Sequence, residues 1–179
     1  VVFIGVANLM YWHGYDRMIS SINSYKGSYQ VRFLVVGDGE PELTRLKHDV
    51  ERYNVQDKVF FLGKKDKSEI IDIMKGCDIC IDALGRHRSG NNFNDSLKSK
   101  EYTAMGMPFI KSHIDNSLVN KDFIYQASSD DGLLPIDEII TWYKSLPLDM
   151  NIKMREYAEN NFSWESIFHN SLVNVKTRK

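Results

Sequence analysis

What this sequence lacks narrows its class before any motif is read. No charge sign dominates: 23 basic residues stand against 24 acidic ones, for a net charge of −1. A general nucleic-acid binder would carry a basic excess, so no nucleic-acid partner is expected. No apolar run approaches the roughly 20 residues that span a bilayer. Repeats, low-complexity stretches and internal linkers are missing. Cysteine is scarce, with Cys77 and Cys80 the sole pair. They form a CxxC, but there is no second CxxC to complete a zinc site. Both lie in "CDICIDAL", which reads as a strand that points residues three apart to opposite faces. They are expected to be buried, reduced and metal-free, as in a cytosolic protein.

What is present is ordinary for a soluble globular domain: 42% hydrophobic and 26% charged residues over 179 positions, enough for one substantial core. Val1 is not expected to be a natural start, so the chain reads as part of a longer protein.

Short β-rich runs alternate with helical patterns along the chain. Apolar runs over 1–7, 31–39, 57–63 and 78–84 predict strands, as do "MPFIKS" and "DFIYQAS". Between the first two, Tyr15, Met18, Ile19, Ile22 and Tyr25 share one helical face. Pro41 opens a second helix with an apolar stripe of Leu43, Leu46, Val50 and Tyr53. Ser68 is placed as the N-cap of a third helix, over 68–76. A fourth holds Glu101 and ends at Gly106, and Ile136, Ile139, Ile140 and Tyr143 line a fifth. Residues 149–176 read as one or two helices bent near "NFSW". Nearly continuous apolar strands separated by helices predict a three-layer α/β domain with a parallel sheet of about six strands.

In open parallel sheets ligands bind beyond the carboxyl ends of the strands. The loops to watch are therefore 5–14, 37–41, 63–68 and 85–97. Just after the last of these, "DSLKSKEYTAMG" starts a helix whose first free backbone N–H groups, near Ser96 and Leu97, offer donors to phosphate oxygens. Lys98, Lys100, Arg86 and Arg88 add charge. One turn on, Glu101 has the spacing to accept two hydrogen bonds from a ribose. A solvated Lys/Glu surface explains the same residues from spacing alone. In the first loop, Gly5 and Gly14 allow close backbone approach, His13 reads as a turn residue or a phosphate contact, and Trp12 reads as packing.

Several segments, in order and covering nearly the whole chain, resemble the nucleotide-sugar-binding C-terminal domain of GT-B glycosyltransferases of the group 1 type, which build bacterial surface polysaccharides such as capsule and lipopolysaccharide. They are "FIGVANLMYWHGYDRMI", "FLVVGDGEPELTRL", "VFFLG", "CDICIDALG", "SLKSKEYTAMGMPFI" and "NNFSWESI". The resemblance implies a Rossmann-like half of a GT-B fold spanning 1–179, with 149–179 as a helical tail and the N-terminal acceptor domain lying outside this chain. It implies that Glu101 holds the donor ribose, that Ser96, Leu97 and Lys98 meet the donor phosphates, and that Lys64 and Lys65 lie beside the base. It also implies that Gly5 to Asn8 lie near the pyrophosphate.

The sequence departs from the family in two places. Phe93 stands where many members have a glutamate, with Asn94 or Asp95 as substitutes nearby. Ala7 or Asn8 and His13 stand where many have arginine and lysine, so Lys98 with Arg86 or Arg88 is expected to supply the positive charge. The expected partners are a nucleotide-sugar donor and a sugar or lipid-linked acceptor. The expected location is the cytoplasm, at the inner face of the membrane, with any membrane contact made through the absent domain. No cofactor or metal is expected, and the catalytic residues are not identified. Two alternatives stand beside this reading: a degenerate, non-catalytic binding or scaffold module, and a GT-B sugar-nucleotide epimerase. A receiver-like signalling domain would need an acidic cluster after the first strand, and "FIGVANL" has none.

Overall fold

The computed structural model describes residues 1–168. Its strands are β1 (Val2–Asn8), β2 (Arg32–Asp38), β3 (Val59–Gly63), β4 (Ile79–Ile81), β5 (Phe109–Lys111) and β6 (Ile124–Gln126). They form one sheet in the order β3-β2-β1-β4-β5-β6, and every pairing is parallel. The helices are α1 (Tyr15–Ser24), α2 (Glu42–Arg52), α3 (Lys67–Met74), α4 (Leu97–Met105), α5 (Ile136–Ser145) and α6 (Met150–Phe162).

Strand alternation divides the core into two layers. On one face Phe3, Phe33, Val35, Ile79 and Ile81 meet Met18 and Ile19 of α1, Leu46 and Val50 of α2, and Ile139 and Ile140 of α5. On the other, Ile4, Val36, Cys80 and Phe109 meet Met74 of α3, Tyr102 of α4, and Met150 and Met154 of α6. The expected Rossmann-like three-layer fold is the observed one.

Local details correct several expectations. Asp66, not Ser68, caps α3: its carboxylate accepts from the Glu69 N–H at 2.9 Å, while Glu69 accepts from the Asp66 N–H at 2.9 Å. That reciprocal pair outcompetes the serine. β4 begins at Ile79, so Cys77 precedes it. The Cys77 N–H bonds the Met74 carbonyl in the turn leaving α3, and the side chain is half-buried while Cys80 is fully buried. Both thiols are free, and burial pushes both up, Cys77 to about 11. The helical tail does break at Ser163, where the backbone turns extended. α6 buries Met150, Met154 and Ala158, yet Leu148, Ile152 and Trp164 are exposed. The part of the expected tail beyond residue 168 lies outside the described residues. Among the described residues no helix is long and apolar enough to cross a membrane.

The chain runs β1, β2, β3 outward in one direction and β4, β5, β6 in the other. The order therefore reverses between β1 and β4, which opens a crevice at their carboxyl ends.

Candidate functional site

Three segments meet at that crevice: the turn Tyr11–His13 after β1, the turn Arg86–Ser89 after β4, and the start of α4. Backbone bonds fix the floor. The Leu84 N–H donates to the His13 carbonyl at 2.8 Å, and the Ser112 N–H to the Ala83 carbonyl at 3.0 Å. Gly14 lets the first two turns touch: at φ 66° it sits where a Cβ would stand 2.6 Å from the Gly85 nitrogen.

The centre of the site is Asp82, a carboxylate just beyond β4 with a side chain 1% exposed. Ser96 and Ser99 hydroxyls both donate to its Oδ2 at 2.6 Å. Lys98 Nζ stands 3.2 Å from Oδ1, and His113 Nε2 3.8 Å from Oδ2. Burial alone would raise this carboxyl, but Lys98, His113 and the two hydroxyls hold it well below the usual carboxylate range. Around it several buried nitrogens make no hydrogen bond: Lys98 Nζ, both ring nitrogens of His113, and Arg86 Nε. The charge of Arg86 reaches both His13 and His113. Lys98 is ion-paired to Asp82 and the neutral His113 ring offers one N–H, so buried nitrogens with spare bonding capacity stand beside a helix N-terminus that can serve an anion.

His13 accepts the Met10 N–H on Nδ1 at 3.1 Å, which leaves the proton of the neutral ring on Nε2. Burial, with Lys98 nearby, lowers its pKa to about 3. An unfolded chain therefore takes a proton near pH 6.5 that folded His13 refuses until about pH 3. Stability is thus full above the unfolded value and is lost as pH falls through that window. Each proton so linked contributes a slope of about 1.4 kcal/mol per pH unit at most. Urea denaturation between pH 6.5 and 4 should show falling stability. His13→Gln should flatten that slope, leaving the part due to His113, which burial shifts in the same direction.

One turn beyond Lys98, the exposed Glu101 borders a cleft of about 290 Å³. Val6, Ile70, Met74, Tyr102 and Met105 give it apolar walls, with Lys67 and Lys98 at its rim. Among the described residues the Glu101 carboxylate has no hydrogen-bond or ion-pair partner. The structure thus brings Ser96, Leu97, Lys98, Glu101 and His13 to one crevice.

Other expected residues are placed differently. Gly5 lies inside β1, where an added Cβ would come within 2.5 Å of the Tyr15 ring. Its missing side chain makes room there for the Tyr15 ring. Asn8 ends β1, exposed beside Asp38. Lys64 is 79% exposed and 3.7 Å from Asp38, and Lys65 pairs with Glu69 at 3.1 Å. Neither lines the cleft, although Lys67, the first residue of α3, does. Arg88 is fully engaged within the protein. It grips Asp16 through two bonds of 2.8 Å, Asp131 at 2.7 Å and the Tyr11 carbonyl at 3.1 Å, with its guanidinium 4.3 Å from the Tyr11 ring. Sequence reading missed Asp82 and His113; the one signal was for Asp82, a charged residue interrupting the apolar run Ile79–Leu84. Among the described residues no group of three or more His, Cys, Asp or Glu is arranged to hold a metal ion.

Residues 1–84 match the family Glycosyl transferases group 1. The alpha-monoglucosyldiacylglycerol synthase of Streptococcus pneumoniae is 25% identical over 146 residues, which are 81% of this chain and 32% of that protein. The structure of HepE from Anabaena in complex with UDP superposes with a TM-score of 0.73 and 18% identity, over 98% of this chain and 48% of that one. A glycosyltransferase from Rickettsia africae gives a TM-score of 0.74 at 19% identity, over 98% and 47% of the two chains. The chain thus spans about a third of that curated relative and about half of these solved structures.

Proposed function

We propose that this chain, which is related to the glycosyl transferases of group 1 through residues 1–84 and shares the fold of GT-B glycosyltransferases, is the half of such an enzyme that holds the nucleotide-sugar donor. The observation that carries this reading is the pairing of two features one helical turn apart. Buried nitrogens with spare bonding capacity surround the start of α4, and the unpartnered Glu101 carboxylate borders an apolar-walled cleft.

The donor diphosphate meets the N–H of Leu97 at the start of α4, together with the Lys98 and Arg86 side chains, while the Ser96 N–H is already spent on Asp115 Oδ2 at 3.3 Å. Glu101 accepts the ribose hydroxyls, and the base lies toward the loop after β3. Positive groups on the diphosphate stabilise the nucleoside diphosphate as it leaves with growing negative charge, which is how this half contributes to sugar transfer. A separate domain supplies the sugar or lipid-linked acceptor.

Calorimetry with UDP, GDP and ADP, and with the matching nucleosides, tests the reading. UDP comes first because HepE was solved with it. The chain should bind at least one nucleoside diphosphate. Lys98→Met should weaken that ligand by roughly tenfold, the ratio set by about 1.4 kcal/mol from a charge-assisted bond. The bare nucleoside should be nearly unaffected. Binding to none of the three diphosphates would leave the scaffold reading in its place.

A further inference from the structure

Resting on that reading, we propose that Asp82 is an internal stand-in for the donor's diphosphate: it holds Lys98 while the site is empty, and donor binding transfers Lys98 from the Asp82 carboxylate to phosphate oxygens. Asp82 is a positioning residue that sets donor affinity from beneath the site.

The two partners are unequally committed. Asp82 has alternatives, because both serine hydroxyls donate to Oδ2 at 2.6 Å and His113 stands 3.8 Å away. When Lys98 leaves Oδ1, the carboxylate keeps three neighbours. Lys98 has no such support: its Nζ makes no well-formed hydrogen bond, and among the described residues its one counter-charge is Asp82 at 3.2 Å. The side chains also differ in reach. Lys98 is 23% exposed on a flexible stem at the mouth of the cleft, whereas Asp82 is 1% exposed and fixed to the sheet. Lys98 can therefore turn outward while Asp82 cannot follow. The buried Lys98 ammonium needs an anion close by, since an unpaired buried charge is costly. With no ligand that anion is Asp82, and a diphosphate at the α4 N-terminus brings a stronger one. Affinity then reflects a difference between two ion pairs, and the internal pair subtracts from the external one.

Asp82→Asn keeps the shape and an acceptor for the two serines while removing the competing charge. The ligands are inorganic pyrophosphate, which has neither base nor ribose, and whichever nucleoside diphosphate the wild type binds. Calorimetry should show Asp82→Asn binding both about tenfold more tightly, equivalent to one charge-assisted bond. The gain should vanish in Asp82→Asn/Lys98→Met compared with Lys98→Met alone, because the effect acts through Lys98. A merely structural role would weaken binding and would not depend on Lys98. Unchanged or weaker binding by Asp82→Asn, with wild-type binding intact, overturns the exchange and leaves the donor reading standing. If neither protein binds any diphosphate, the donor reading fails and this inference falls with it. If Asp82→Asn does not fold, a crystal structure of the wild type with pyrophosphate decides. Lys98 Nζ should then lie on the ligand, out of ion-pair reach of Asp82. A Lys98 still at 3.2 Å from Asp82 beside bound ligand overturns the proposal.

Discussion

Arg17→Met should destabilise the domain by about 3–5 kcal/mol, the scale seen when one partner of a buried charged network is removed. Arg17 lies on α1 with a side chain 1% exposed. Its guanidinium donates to the carbonyls of Leu84, Ser128 and Gly132, and also reaches Ser128 Oγ and Asp130. Methionine fills similar space but leaves three carbonyls without that donor, and burying an unpaired polar group costs about 1–3 kcal/mol. The exposed contact with Asp130 adds little. At about 2–4 °C per kcal/mol for a chain of this size, the thermal midpoint should fall by roughly 10 °C. Calorimetric or circular-dichroism melting checks this. A fall of a degree or two would mean that solvent replaces the guanidinium. Leu84 directly follows the stretch that carries Asp82 and Ala83, so the same clamp steadies the floor of the crevice. Donor binding should therefore loosen in this variant even below its melting point.

The sequence made the layers legible because apolar residues cannot face water on either side of a covered parallel sheet. Runs such as "FLVVG" have no other comfortable place, and the stripe of Met18, Ile19 and Ile22 has one buried face to occupy. What stayed hidden was pairing between distant charges. Arg17 looks like a solvated arginine on a surface helix, and its partners lie 67 to 115 residues away along the chain. Arg88 looks free in a polar loop until the fold brings Asp16 to it from 72 residues upstream. Local competition was the other source of error. The cap of α3 went to Asp66 because Glu69 answers it three residues later, a pattern present in the sequence but passed over for the nearer serine. The candidate site was half legible. Ser96, Lys98 and Glu101 follow from one helical start, whereas Asp82 and His113 reach it from two other strands.

Glu101→Gln should weaken nucleoside diphosphate binding by about tenfold or more while leaving the fold intact. A carboxylate taking two hydroxyl donors contributes about 1.5–3 kcal/mol per charged bond at best, and the amide retains one neutral acceptor. Each 1.4 kcal/mol lost is about a factor of ten in affinity. Because Glu101 is exposed and its carboxylate has no partner among the described residues, the substitution should change stability by no more than about 0.5 kcal/mol. Loss of affinity at unchanged melting temperature therefore reports on ligand contact alone. The pattern across ligands then separates Glu101 from Lys98. Glu101→Gln should weaken nucleoside and nucleoside diphosphate alike, since both carry the ribose, whereas Lys98→Met acts on the diphosphate alone. A 2′-deoxy ligand should bind the wild type more weakly and should lose less on Glu101→Gln, because one of the two hydroxyls is already gone. If wild type and Glu101→Gln bind every ribose-bearing ligand equally, Glu101 returns to the solvated surface. The diphosphate would then be held at α4 without a ribose contact from that helix.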